Sequence, residues 1–324
     1  MKRFLLLLAA ILFLCSASIF AQSFTPPPNK NAALRYWMAF AEMTDHSADN
    51  ATIKLMEDVL NGTANWDEQK LGPIVEENSA AVHTLQRAED LPECNWGLDY
   101  SRGAAMSIGH LPKARVLARL NALYGAQQMA KGDVSGAINT WLAGLRFAQD
   151  VEKGIGLIGL LSAKPAFLAN LHLLTQAVQS GAVNAELQGK IRSQLQKLPN
   201  EGLNWIDSIK AEAWAGEDGL KYLSHAANFQ ETYKNFFSEP PPQPAQPPSA
   251  GDIASFQEYM NDVIAAFRQP YAQTQERLSA ITARTKTMNP TVQSVIPGYQ
   301  RMNDARKQVS DDLQMLSKAL SGQK

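Results

Sequence analysis

This sequence predicts an all-α fold, an array of helical hairpins with a helical extension at its C-terminal end. Three observations carry the prediction. β-Branched residues are sparse while Ala, Leu and Gln abound, a composition that favours helix over strand. Apolar residues recur at steps of three and four along most of the chain. Finally, Lys113 to Lys153 reads as two amphipathic helices joined at Gly132-Asp133, a pair that cannot bury its apolar stripes without further helices. With 45% hydrophobic and 19% charged residues, the chain suits a globular protein rather than a disordered one, and 324 residues suffice for one large or two modest domains.

Met1 to Ala21 has the parts of a secretory signal peptide: Lys2 and Arg3 at the start, an apolar run from Phe4 to Leu14, and small Ala21 before a cut at Gln22. Ile19, three residues before the cut, is less usual. An uncleaved anchor is the competing reading, because Phe4 to Ala21 approaches the length of about 20 apolar residues that spans a bilayer. Lipidation at Cys15 is disfavoured by bulky Phe13-Leu14 before it. Cleavage makes the protein periplasmic or secreted, with no stable membrane span, and the loss of Lys2 and Arg3 takes the formal net charge from −1 to −3. No basic patch is then left to neutralise a phosphate backbone, which argues against nucleic acid as a partner. Cys15 leaves as well, so Cys94 stands alone. It is expected to be buried, with a partner-linked or reactive thiol as the alternative.

The mature chain begins with an extended leader, Gln22 to Asn29. Ala32 to Asp45 reads as a helix with Leu34, Trp37, Met38 and Ala41 on one face, and with Glu42 and His46 one turn apart. Asn50 is placed as the cap of a short helix whose Ile53, Met56, Val59 and Leu60 face inward and which ends at Gly62. Pro73 is placed as the first residue of a helix through about Glu89. Leu91 to Pro112, broken by two prolines and by Gly97, Gly103 and Gly109, reads as irregular, and a loop this long is where function tends to sit.

In the hairpin, Val116, Leu117, Leu120, Leu123 and Tyr124 form one apolar stripe, with Lys113, Arg115, Arg119 and Gln127 on the other side. Gly132 is expected to end the first helix in a left-handed conformation and Asp133 to cap the second. The second helix carries Ile138, Trp141, Leu142 and Leu145, while Ala137 and Gly144 are small enough for a neighbour to close in. Gly125, Gly132, Ala137, Trp141 and Gly144 fall at the spacing of the small and aromatic positions of a tetratricopeptide repeat (TPR), which the hairpin resembles. Asn121 and Gln128 stand where that pattern has Trp and Tyr, and Gln149 replaces its closing Pro. The resemblance implies a TPR-like, α-solenoid-like array. More widely, Asn31 to Ala41, Cys94 to Asp99 and Lys113 to Lys153 resemble segments of uncharacterised signal-bearing helical proteins of soil and aquatic bacteria, a likeness over roughly the first half of the chain that implies no activity.

Gly154 to Gln179 is apolar nearly throughout and reads as a central helix, buried on several sides and kinked or divided at Pro165. Lys164 and Pro165 in its middle argue against a membrane span. Asn184 starts a helix through Leu198, closed by Pro199, and Leu203 to about Phe237 reads as mostly helical. Glu239 to Ala250 is so rich in proline that it favours polyproline II, marking a spacer, with a partner's ligand as the alternative. The expected organisation is therefore a signal peptide over 1–21, a TPR-like helical domain over 22–238, a proline-rich linker over 239–250 and a C-terminal helical hairpin over 251–324. In that hairpin Asp252 starts a long helix through Lys286, kinked at Pro270. A turn containing Pro290, Pro297 and Gly298 leads to a last helix ending near Leu320. This tail either folds back on the array or grips another chain.

Gly154-Ile-Gly-Leu-Ile-Gly159 matches the G-x-G-x-x-G string of dinucleotide sites, but a helix rather than a strand precedes it and no acidic residue follows near Gln179, so its glycines are read as turning and packing helices. Cys94-Asn-Trp-Gly-Leu-Asp99 is the most distinctive element. A thiol, an indole and a carboxylate within six residues invite a catalytic reading that also needs a His to activate the thiol. The plainer expectation is that Trp96 plugs the core and Asp99 caps or hydrogen-bonds the loop. The five histidines show no metal-ligand spacing, and neither a metal nor a cofactor is implied. Trp205 and Trp214, with Tyr222 or Phe229 nearby, are candidates for a concave binding surface. Cys94, Trp96, Asp99, Trp205 and Trp214 are thus the candidate binding residues, and none is assigned a catalytic role. Protein–protein interaction or scaffolding in the cell envelope, with another envelope or secreted protein as partner, is the expected function. The alternatives are an envelope hydrolase built around Cys94–Asp99 and a glycan or small-molecule binder in the aromatic groove.

Overall fold

The computed structural model describes residues 29–44, 49–199 and 201–322. The signal peptide, Cys15, the leader up to Pro28 and the His46 end of the Glu42–His46 pair lie outside the described residues. Asn31–Lys324 forms one compact unit. Its described residues are all-helical, apart from one isolated parallel bridge between Asn31 and Glu93.

The hairpin is the centre of the fold. Helix α5 (His110–Ala130) and helix α6 (Val134–Val151) meet at Gly132, which takes φ +82°, and Asp133 accepts a hydrogen bond from the Gly136 amide at 2.8 Å. Both features match the cap chemistry expected from the sequence. Trp141 is fully buried and donates its indole N–H to the Ala122 carbonyl at 3.1 Å. A Cβ on Gly125 would lie 2.3 Å from that indole nitrogen, so only glycine lets α5 come this close. Helix α5 starts at His110, with Pro112 in its first turn where a missing N–H costs nothing.

Helix α7 (Leu157–Gln179) packs on α6 and α5. It keeps Pro165 inside one continuous helix, and the turn before it holds Gly154 and Gly156 at positive φ. Thus the glycine string joins two helices. α7 is long and apolar enough to cross a membrane by length and composition, yet 56% of its most apolar window is buried in the molecule. Helix α8 (Ala185–Leu195), capped by Asn184, lies on α6.

The N-terminal helices cover the other side of α5. Helix α1 (Ala32–Glu42) packs on α4 (Ser79–Gln86) and buries Ala32, Ala33, Tyr36, Ala39 and Phe40, while Leu34, Trp37 and Met38 stay exposed. The small alanines let the two helices approach, so the bulkier stripe is the uncovered one. Helix α2 (Asn50–Leu60) is capped by Asp49 rather than Asn50. Helix α3 (Glu68–Glu77) begins five residues before Pro73, because Asp67 accepts from the Gln69 and Lys70 amides at 3.1 Å each and supplies a stronger start. It breaks from α4 at Asn78, whose side chain takes hydrogen bonds out of the helix register, donating to the Ile74 carbonyl and accepting from the Thr44 amide.

Beyond α8, the segment expected as one helical run resolves into α9 (Trp205–Ser224) and α10 (Phe229–Phe237). After the proline-rich stretch come α11 (Ala250–Phe267), α12 (Tyr271–Thr285), the short α13 (Pro290–Ser294) and α14 (Tyr299–Ser321). Ser249 and Asp252 form a reciprocal capping box that starts α11. Pro270 separates α11 from α12 rather than kinking a single helix, and Thr274 ties the corner by donating to the Ala266 carbonyl at 2.8 Å. The tail folds back: α11 packs on α9, and α14 lies along α7 and reaches α8.

Candidate functional site

Asp150, at the C-terminal end of α6 and fully buried, organises the Cys94–Asp99 loop. Its carboxylate accepts hydrogen bonds from the Tyr36 hydroxyl at 2.8 Å, Arg146 Nε at 3.0 Å and Lys153 Nζ at 2.6 Å. Its backbone carbonyl accepts from the Trp96 indole at 2.7 Å and from the Cys94 thiol at 3.8 Å. A negative side chain near a helix C-terminus is opposed by the helix dipole, and the two cations offset that. Burial, then the Asp150 charge, raises the Tyr36 pKa well above its ordinary value, so the phenol remains a donor.

The loop's groups are committed to packing and capping. Trp96 is buried, stacked on His110 (ring centroids 4.3 Å apart) and on Phe40 (6.2 Å). Asn31 and Asn95 exchange hydrogen bonds of 2.8 Å in both directions. Asp99 caps the 3-10 turn Tyr100–Ala105 by accepting from the Ser101 amide and hydroxyl. Burial, with the Asp150 charge adding to it, pushes the Cys94 thiol up to about 12, whereas a nucleophile has to be a thiolate. Burial pushes His110 down to about 4, leaving a neutral ring on Trp96. His83 is engaged with the Tyr124 hydroxyl and Gln86.

Glu152, two residues beyond Asp150, is buried with Oε1 accepting from the Asn204 amide at 2.8 Å and Oε2 without a partner. Burial lifts its carboxyl from 4.5 to about 8. The folded state therefore holds a proton that the unfolded chain releases. The stability this gives is full below pH 4.5 and is lost as pH rises through about 8. Glu152→Gln, which stays neutral, is expected to match the wild type near pH 4.5 and to exceed it by roughly 2–4 kcal/mol above the folded pKa. Urea midpoints measured on both proteins at the two pH values check this.

Trp205 and Trp214 both lie on α9 but do not share a surface. Nine residues at about 100° each place them on opposite sides of the helix. Trp205 is buried and donates to the Glu201 carbonyl at 3.2 Å, whereas Trp214 is 41% exposed. Trp214 faces a cleft of about 790 Å³ bounded by the Tyr100–Ala105 turn, the start of α7, the middle of α9 and the start of α14. Ile155, Ile158, Leu161, Met302 and Trp214 give it an apolar lining, with Glu212 and Arg301 as its charged groups. Ile158 is 48% and Leu161 53% exposed. Tyr100 stands edge-on to Trp214 at 5.7 Å and donates to the Gly154 carbonyl at 3.2 Å, fixing the rim. The Glu212 carboxylate is spent on capping α7, accepting from the Leu157 amide at 3.1 Å, and burial raises its pKa. A second groove of about 460 Å³, lined by Arg115, Arg119 and Pro165, shares Leu161 with the first.

No family model, curated protein or solved structure matches this chain. The site is therefore read from its own residues. Of the five sequence candidates, Trp214 lines the cleft, Trp205 packs the core, and Cys94, Trp96 and Asp99 build the loop on Asp150. Ile158 and Leu161 carry no signal of their own in the sequence, because α7 is apolar on every side and periodicity does not tell which side chains a neighbour leaves uncovered. Asp150 did carry a signal: an acidic residue on the stripe of Phe147, flanked at helical steps by Arg146 and Lys153. Among the described residues no group of three or more His, Cys, Asp or Glu side chains is arranged to hold a metal ion.

Proposed function

We propose that this is an exported helical binding protein, a TPR-like array whose cleft between α7 and α9 holds an apolar segment of another envelope or secreted protein. The observation that carries the reading is the cluster of Ile158, Leu161 and Trp214, three large side chains left 41–53% exposed around one concave surface. Apolar side chains gathered this way mark an interaction site more often than scattered ones do, and the volume lies in the range of ligand-holding clefts. Arg301 at one end, and Arg115 and Arg119 in the adjoining groove, favour a segment that also carries acidic residues. The TPR-like part of the reading is supported by the Gly125–Trp141 approach, which uses the small and aromatic positions of that repeat. The likeness to signal-bearing helical proteins and the make-up of Met1 to Ala21 support export. A hydrolase at Cys94–Asp99 would need a thiolate and a base, whereas burial pushes the Cys94 thiol up to about 12 and the His110 ring on Trp96 down to about 4.

Leu161→Glu tests the cleft with little risk to folding, since the side chain is more than half exposed. Affinity capture from envelope extract is expected to recover a defined protein with the wild type and to lose at least about nine-tenths of it with Leu161→Glu, because placing a charge against an apolar contact costs more than a tenfold in affinity. Equal capture by both would remove the cleft from the proposal.

A further inference from the structure

A second cavity, independent of the apolar cleft, has a different chemistry. It measures about 960 Å³ and lies where the Tyr100–Ala105 turn, the C-terminal half of α9 and α10 converge. Where the first cleft sets aliphatic side chains around Trp214, this one combines two aromatic rings with a set of hydrogen-bonding groups. Tyr222 is 61% exposed, with the Phe236 ring 6.3 Å away. Around them stand Arg102, Asp218, His225 and Asn235.

The protonation of His225 follows from its partners. Its Nδ1 lies 2.8 Å from the Lys221 carbonyl, which only accepts, so Nδ1 carries the proton. In the tautomer with that proton alone, Nε2 is an acceptor. Asp218 is a second acceptor, set against the backbone of Gly103. Lys221, also on the wall, is paired with Glu217 at 2.5 Å, which leaves the guanidinium of Arg102 as the cavity's main cationic group. The inventory is an apolar ring face, two acceptors for hydroxyl groups, an amide, and a guanidinium fitted to a carboxylate. A pyranose presents the matching parts, an apolar C–H face and a rim of hydroxyls. A uronic acid adds the carboxylate.

From this juxtaposition we propose that the cavity between the Tyr100–Ala105 turn, α9 and α10 binds an acidic saccharide, with Tyr222 under the sugar ring and Arg102 on its carboxylate. The proposal stands whether or not the apolar cleft binds a protein. Calorimetric titration of the full chain with glucuronate- and galacturonate-terminated disaccharides, beside their neutral glucose and galactose counterparts, tests it. At least one acidic sugar is expected to bind about tenfold or more tightly than its neutral counterpart, since a charge-assisted bidentate contact is the difference between them. Arg102→Gln is expected to erase that preference, and Tyr222→Ala to weaken both forms roughly tenfold. Leu161→Glu, in the other cleft, is expected to change neither. Both tested side chains are exposed, and an unchanged helical circular dichroism spectrum confirms that the variants fold. Absence of saturable binding by either acidic sugar at millimolar concentration would overturn the proposal, as would equal affinity for acidic and neutral forms or an Arg102→Gln variant that keeps the preference.

Discussion

Replacing Arg306 by methionine is expected to cost about 3 kcal/mol of stability and to loosen the C-terminal helices from the rest of the fold. Arg306 projects from α14 and its side chain is only 5% exposed. It donates two hydrogen bonds of 2.5 Å to the Glu201 carboxylate, one of 3.3 Å to the Thr274 hydroxyl and one of 3.0 Å to the Gln269 carbonyl. The guanidinium also sits over the Phe267 ring, 5.6 Å from its centre. Methionine preserves much of the stem volume, so the loss reports the charge and its hydrogen bonds rather than a cavity. Breaking a buried ion pair costs about 3–5 kcal/mol because the remaining charge is stranded. Glu201 is 31% exposed and regains some hydration, which places the effect at the lower end. Urea unfolding gives the magnitude, and faster amide exchange in α14 gives the location. A change below about 1 kcal/mol, the level of an exposed pair, would show that the tail is held by apolar packing alone.

Asp150→Ala is expected to destabilise by about 3–5 kcal/mol and, separately, to make Cys94 more reactive. The substitution strands the Tyr36 hydroxyl, which is buried, and frees Arg146 and Lys153 from their shared carboxylate. Asp150 also contributes to holding the thiol up near 12, after burial. Removing that charge next to two cations lowers the thiol pKa, so the thiolate fraction at a given pH rises. Disulfide-exchange rates with an aromatic disulfide at mildly alkaline pH read this directly. Asp150→Asn keeps an acceptor for Tyr36 and is expected to cost less than Asp150→Ala while raising thiol reactivity in the same direction. An unchanged rate in both variants would mean that the thiol is controlled by burial alone.

The all-helical class and the caps at Gly132-Asp133 and Asn184 were legible in the residues, because these signals and the apolar stripes act locally. Sequence and structure part where two local signals compete. Pro73 looks like a helix start, but Asp67 offers a side-chain acceptor six residues earlier and wins. Pro270 reads as a kink, yet the Thr274 hydroxyl donates to the Ala266 carbonyl across it and ties a corner. The face of α1 was ambiguous for a different reason: Ala32, Ala33 and Ala39 are weakly hydrophobic, but their small size is what lets α4 close in, and hydrophobicity alone favours the stripe of Leu34, Trp37 and Met38. Trp205 and Trp214 were grouped by proximity in sequence, and helical geometry separates them. Polar contacts in the fold-back of the tail include Arg306–Glu201 and Arg192 donating to the Leu320 carbonyl at 2.5 Å. Neither contact is local, and neither has a sequence pattern of its own.

The proposed seating of a protein segment in the α7–α9 cleft is open to capture in place. The most direct measurement places a photo-crosslinking residue at position 161 of the full chain in cells, with position 189 on the open surface of α8 as the control, where nothing lies within 4 Å. A discrete protein adduct at position 161 that is absent at position 189, and that disappears when Trp214→Glu is added, is the result expected. Illumination that yields no adduct at position 161, or the same products at both positions, would contradict the account.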